Sequence, residues 1–177
     1  DSSSSRGLGD VYKRQRQKVL SEKKTIVACS TPPGRGAIST VRLSGSKAIA
    51  IVQKITKEKL KRKSCILNFP LNKDLKEKCV LTIFTAPNSY TGEDVVEIST
   101  HGNPLIVEKV IQKCLNAGAY VAEPGEFTLR AYLNNKLTID QSEAVIDVIN
   151  ANSLASLKAA QNSLNGGLKV RISKVQK

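Results

Sequence analysis

Two prolines and two glycines fall within the seven residues Thr31–Ala37 (TPPGRGA), and they constrain this chain more than any other stretch. Proline has no amide proton for a hydrogen-bonded ladder, and glycine loses the most conformational freedom on ordering. The segment therefore excludes helix and strand and makes a rigid loop. Before it, TIVACS (25–30) is a short β-branched run; after it, AISTVRLSG (37–45) alternates. Ala37, Ser39, Val41 and Leu43 fall on one face, Ile38, Thr40 and Arg42 on the other. The fold is predicted to begin strand, loop, strand, with Arg42 turned away from Val41 and Leu43.

The remaining elements follow from punctuation and period. Ser46 is placed to cap a helix running to about Lys57, with Ile49, Val52 and Ile55 on one side. Residues 57–63 form a basic turn. SCILNF (64–69) and CVLTIF (79–84) are predicted strands joined by the polar turn PLNKDLKEK. APNSYTGED (86–94) is a turn-rich loop. In the strand VVEIST (95–100), Glu97 projects from the face opposite Val96 and Ile98. A helix follows, with Asn103 suited to its N-cap, Pro104 to its first position and Gly118 to the residue past its end. YVAE (120–123) is a short strand. PGEFTLRAYLNN gives a short helix opening near Gly125, then a tight turn. Thr138 and Gln141 form a capping-box pattern. Beyond them Ile146, Ile149, Ser153, Leu157, Ala160 and Leu164 make one apolar stripe, predicting a single helix of about seven turns. Gly166 and Gly167 weaken it, and LKVRISKVQK (168–177) is able to resume it. Strands and helices mix without regular βαβ alternation, so the expected class is α+β, a mixed sheet with packed helices. The last helix, with one apolar stripe, marks the start of a helical region.

Charge is unevenly placed. The formal net charge is +13, but residues 1–24 carry 7 basic and 3 acidic groups, residues 46–79 carry 10 and 3, and residues 158–177 carry 5 and 0. The remainder carries 6 basic and 9 acidic groups, so the segments holding the motifs are slightly acidic. Basic runs of this kind are either solvated faces or surfaces for phosphate, the latter independent of nucleic-acid sequence and sensitive to salt. Residues 1–23 stand apart. DSSSSRGLGDVYKRQ resembles the adaptor-derived translations found at the ends of sequenced fragments, and this stretch is expected to be a disordered or non-native leader. No apolar run approaches a membrane span, and a cytoplasmic protein without membrane attachment is the expectation.

Several chemistries lack their parts. No G-x-x-x-x-G-K-[ST] motif occurs, so the chain has no phosphate-binding loop and is not expected to hydrolyse GTP by itself. The single histidine, His101, has no second imidazole for a metal site and reads as a hydrogen-bonding residue at an element end. The four cysteines, at 29, 65, 79 and 114, form no C-x-x-C pair and read as free thiols. No catalytic residue is assigned.

Four segments, TIVACSTPPGRGAISTVRLSG (25–45), APNSYTGEDVVEISTHGNP (86–104), EPGEFTLRAYLNNKLTIDQSEAV (123–145) and ANSLASLKAAQNSLNGGL (151–168), together resemble the start of the tRNA-modification GTPases of the MnmE (TrmE) family. The order and spacing match, and the resemblance covers about residues 25–170. It departs at Asn103, where the family usually has glycine, and at Leu129, where it often has an acidic residue.

The resemblance implies a folate-binding and dimerisation domain over 24–137, similar in fold to the folate-binding domain of the glycine-cleavage aminomethyltransferase. The beginning of a central helical domain over 138–177 would follow. It implies a tetrahydrofolate derivative as ligand, 5-formyl or 5,10-methylene, held by Arg42 of VRLSG, Glu97 of GEDVVEI and Lys136 of LNNKL. Glu97 suits the pterin, whose amino group and ring N–H lie side by side and can both donate to one carboxylate. Arg42 and Lys136 suit carbonyl, formyl or glutamate-tail oxygens. The implied partners are a second copy, an MnmG-type flavoprotein and tRNA, for modification of the wobble uridine. GTP, magnesium and potassium would belong to a GTPase domain outside this chain. Two other functions are open: a self-sufficient folate-dependent aminomethyltransferase, and a basic tRNA- or nucleic-acid-binding module without folate chemistry.

Overall fold

The computed structural model describes residues 24–60 and 63–166. The expectations for residues 1–23 and 168–177 lie outside them. The chain divides into two compact units, Asp1–Phe127 and Thr128–Lys177.

Among the described residues, the first unit is built on six strands: β1 (Ile26–Cys29), β2 (Gly36–Ser44), β3 (Ser64–Pro70), β4 (Lys76–Phe84), β5 (Val95–Gly102) and β6 (Tyr120–Val121). They form one sheet in the order β3-β4-β5-β2-β1-β6. All neighbours are antiparallel except β1 and β6, which run parallel. With the helices α1 (Ala48–Thr56) and α2 (Pro104–Asn116), this is the expected α+β mixed sheet.

Alternation sends one face of the sheet inward. Val27, Val41, Leu43, Leu67, Leu81, Val96 and Ile98 are buried there, together with Val52 of α1 and Val110 and Cys114 of α2. α1 packs on β3 and β5, and α2 on β1, β2 and β5. The residues between these positions, Thr40, Arg42, Glu97, Ser99, Val80 and Ile66, belong to the other face. That face is not fully polar: Ile66 is 67% and Val80 41% exposed. Beside them on β4, Lys76 and Lys78 are exposed.

The loop at Thr31–Arg35 is held by its own polar atoms. Ser30 N–H donates to Thr40 O, and Thr40 N–H to Thr31 Oγ1. Where β2 leaves the loop its register with β5 shifts between Gly36 and Ile38, so Ala37 is the extra residue of a bulge. Here the strands come too close for side chains. A Cβ on Gly102 would collide with the carbonyl oxygen of Gly36.

Two expectations are corrected. Ser46 does not cap α1: Lys47 occupies the N-cap position without a side-chain cap bond. The exposed amide of Lys47 instead donates to Thr25 Oγ1, and Ala48 N–H closes a turn onto Gly45 O. A hydroxyl distant in sequence thus replaces the local one, drawn in by strand pairing. Gly45, at φ +137°, leaves no room for a side chain, because a Cβ there would lie 2.7 Å from Thr25 Cα.

The predicted seven-turn helix is two helices. The second unit contains most of α3 (Glu126–Leu133), then α4 (Ile139–Asn150) and α5 (Leu154–Leu164). Thr138 and Gln141 make the predicted capping box. Ser153, expected on the apolar stripe, is the N-cap of α5 in a second capping box with Ser156. The chain turns at Ala151–Ser153, and Gln141 Nε2 donates to Leu164 O at 2.8 Å, bringing the start of α4 to the end of α5. The helical period continues across the break, so the stripe alone did not betray it; the competing signal was Ser153 with Ser156. Ala144 and Ala160 are buried, whereas Ile146 and Ile149 are 61% and 76% exposed. Among the described residues no helix is long and apolar enough to cross a membrane.

Candidate functional site

Arg42 and Glu97 come from strands far apart in sequence that the sheet makes neighbours. They are register partners on β2 and β5, with Thr82 of β4 opposite Glu97 on its other side. Arg42 Nε donates to Glu97 Oε1 at 2.8 Å, and Nη2 lies 2.7 Å from the same oxygen. Both side chains are about three-quarters covered, at 26% and 24% exposure. Among the described residues Glu97 Oε2 carries no hydrogen bond. The pair therefore presents one open carboxylate oxygen beside a guanidinium already fixed in place.

Two rings close around the guanidinium. Its carbon lies 5.6 Å from the centroid of Tyr90 and 5.7 Å from that of Phe127. Such contacts favour the charged group and restrict its motion. Tyr90 is positioned by the 86–94 loop. Thr91, fully buried, shares a 2.7 Å hydrogen bond with Ser44 Oγ, which also donates to Glu93 Oε2 at 2.7 Å. Ser89 Oγ donates to Glu93 O, and Gly92 takes φ +76° to complete the turn. The SYTGED segment thus does structural work that carries Tyr90 to the site. Neither aromatic was singled out from sequence; the available signal was a tyrosine inside a polar loop and a phenylalanine at the start of a short helix.

Lys136 belongs to the second unit. It follows the tight turn in which Asn135 adopts φ +57°, its amide donates to Ala131 O at 2.8 Å, and its side chain is exposed. His101, as expected, ends a strand in hydrogen bonds. Its amide and Nδ1 both meet Oε1 of the buried Glu77, at 2.9 and 2.7 Å. The carboxylate satisfies a strand-end donor beyond the paired residues Val80 and Ser99.

The cysteines are free thiols. Burial pushes Cys79 from the ordinary 9.0 up to about 12, with the Glu77 carboxylate adding to the rise. Burial alone raises Cys114 to about 12. Neither supplies a thiolate near neutral pH, so both are packing groups.

The chain resembles known proteins in sequence. A family model described as the GTP-binding protein TrmE N-terminus matches residues 25–136, which include Arg42, Glu97 and Lys136. The chain is 50% identical over 145 residues to the tRNA modification GTPase MnmE of Francisella tularensis subsp. novicida (strain U112), covering 81% of this chain and 32% of that protein. The same values hold for tRNA modification GTPase MnmE of Francisella philomiragia. For that of Francisella tularensis subsp. holarctica (strain LVS) the identity is 49%, again over 81% of this chain and 32% of the relative. The chain spans about a third of the length of the curated relatives it matches.

Proposed function

The chain belongs to the TrmE N-terminal family, and from that premise we propose that it is the tetrahydrofolate-binding and homodimerising module of a tRNA-modification GTPase. The carrying observation is the Arg42–Glu97 pair, with one carboxylate oxygen open and two aromatic rings over the guanidinium. The residues suit the ligand. Oε2 of Glu97 is the acceptor for the pterin amino group and ring N–H, while Arg42 holds the carboxylate in one orientation. Tyr90 and Phe127 offer apolar faces to a flat heterocycle. Arg42 and Lys136 supply positive charge for formyl, carbonyl or glutamate-tail oxygens. A bound 5-formyl- or 5,10-methylene-tetrahydrofolate supplies the one-carbon unit. The protein's own contribution is recognition and orientation.

In the whole protein this module serves modification of the tRNA wobble uridine in the cytoplasm, with an MnmG-type flavoprotein as partner. GTP, magnesium and potassium act in a separate GTPase domain. Dimerisation uses the sheet face carrying Arg42 and Glu97, where Ile66 and Val80 are exposed side by side as register partners. A basic tRNA-binding role has support of its own from Lys76 and Lys78 on that face. It predicts binding that weakens steeply with salt and ignores Glu97.

The test is calorimetric titration of 5-formyltetrahydrofolate into the chain and into Glu97→Ala. Saturable binding lost in the variant is the expected result. Equal affinity in the two, with both folded, would remove Glu97 from the site and the reading with it.

A further inference from the structure

A second concavity lies on the opposite side of the sheet from Arg42 and Glu97. It is a cleft of about 530 Å³ between the Pro32–Gly34 loop, the end of β1 and the first two turns of α2. Its walls are apolar, formed chiefly by Pro33, Pro104, Val107 and Ile111. On the sheet side stands Ser39, 5% exposed, whose hydroxyl makes no hydrogen bond among the described residues.

The rim carries the chemistry. Glu108 and Gln112 both line the cleft, one helical turn apart on the same face of α2. Glu108 has no ion-pair or hydrogen-bond partner among the described residues. Gln112 gives one N–H of Nε2 to Asn116 Oδ1 at 3.0 Å, which leaves its carbonyl oxygen and a second N–H to interact. The rim thus offers one carboxylate and one side-chain amide, and no Lys, Arg or His is among the lining residues. A carboxylate without a cationic neighbour in the lining, above an apolar slot, selects a cation with an apolar body.

We propose that this cleft is a binding site for a small organic cation, an ammonium or amidinium on an apolar group, with Glu108 and Gln112 at its charged end and Val107 and Ile111 against its body. Ser39 caps the deep end with a hydroxyl able to donate or accept. The site shares no residue with Arg42, Glu97 or Lys136, so the proposal stands apart from the folate reading.

Phenethylammonium chloride is the probe and 3-phenylpropionate, with a similar apolar body and the opposite charge, is the control. Each is titrated into the ¹⁵N-labelled chain while amide shifts are followed. Iodoacetamide modification of Cys29, which lines the cleft, is timed against that of Cys65, which does not. Expected are saturable shifts at Cys29, Ser39, Glu108 and Gln112, slower modification of Cys29 alone, and no saturation with the anion. Glu108→Gln, an exposed change that leaves folding intact, should weaken the probe about fivefold or more, as loss of a charge-assisted contact does. Glu97→Ala should leave it unchanged. A folded chain without shifts at these residues overturns the proposal. So does equal binding of cation and anion, or a Glu108→Gln variant that binds as well as the parent.

Discussion

Arg42 and Glu97 are direct cross-strand partners, and two guanidinium nitrogens of the first converge on a single oxygen of the second. The arrangement holds the carboxylate in one orientation and leaves its other oxygen open. A partly covered pair of this kind contributes little to stability, about 0.5–1 kcal/mol of coupling. A double-mutant cycle with Arg42→Ala and Glu97→Ala, read by urea unfolding, should return that small value. Folate affinity should fall by more than tenfold in either single variant. A coupling of several kcal/mol with unchanged affinity would make the pair a structural element instead.

Gly102 bears on how closely β5 and β2 approach at the bulge. Because an added Cβ meets the backbone of Gly36, Gly102→Ala must move a strand and not merely a side chain. The expected cost is about 1–3 kcal/mol, the usual range for overpacking. Thermal unfolding of the variant measures it, and an unchanged melting temperature would show that the approach is slack.

The two capping boxes of the helical unit should behave alike. Thr138→Ala removes the hydroxyl that accepts from Gln141 N, and Ser153→Ala the one that accepts from Ser156 N. Each substitution should cost about 1 kcal/mol. Serine or threonine exchanged for the other at these caps should recover most of the loss. Circular dichroism during thermal unfolding reads both. A Ser153→Ala variant of undiminished or greater helicity would mean that α4 and α5 can fuse into the continuous helix their apolar period describes.

Cys79 and Cys114 should make the fold sensitive to alkali. Their folded pKa values stand near 12, above the ordinary 9.0, so the unfolded chain loses these protons first. The protonated thiols therefore leave stability untouched below about pH 9, and stability falls as pH rises from there towards 12. The slope is about 1.4 kcal/mol per pH unit for each thiol. Urea unfolding from about pH 8 to 11 should show a shallower decline in Cys114→Ala than in the parent, although the variant starts less stable. Identical slopes would mean that this thiol ionises as freely in the fold as outside it.

Local chemistry in the sequence determined much of this molecule. Alternation around Val41-Arg42-Leu43 and Val96-Glu97-Ile98 put both charged side chains away from the core, because successive side chains of a strand point to opposite faces. Asn103 with Pro104, and Thr138 with Gln141, marked helix starts because the groups that satisfy a free helix end lie within three residues of it. Resemblance named Arg42 and Glu97 as site residues, but neither it nor the period said that they touch. That depended on β5 lying between β4 and β2 and on a register pairing residues 55 positions apart. Long-range pairing is set by the sum of core contacts and is not written at any one position. The same reason explains the failures. Thr25 replaces Ser46 at the start of α1 because the sheet brings it there. A helical stripe spans Ser153 although the chain turns at that residue, since folding α5 back on α4 buries Ala144 and Ala160. What lay within one turn or one strand was legible. What joined strand to strand or helix to helix was decided by packing, where many weak contacts outweigh any single residue's preference.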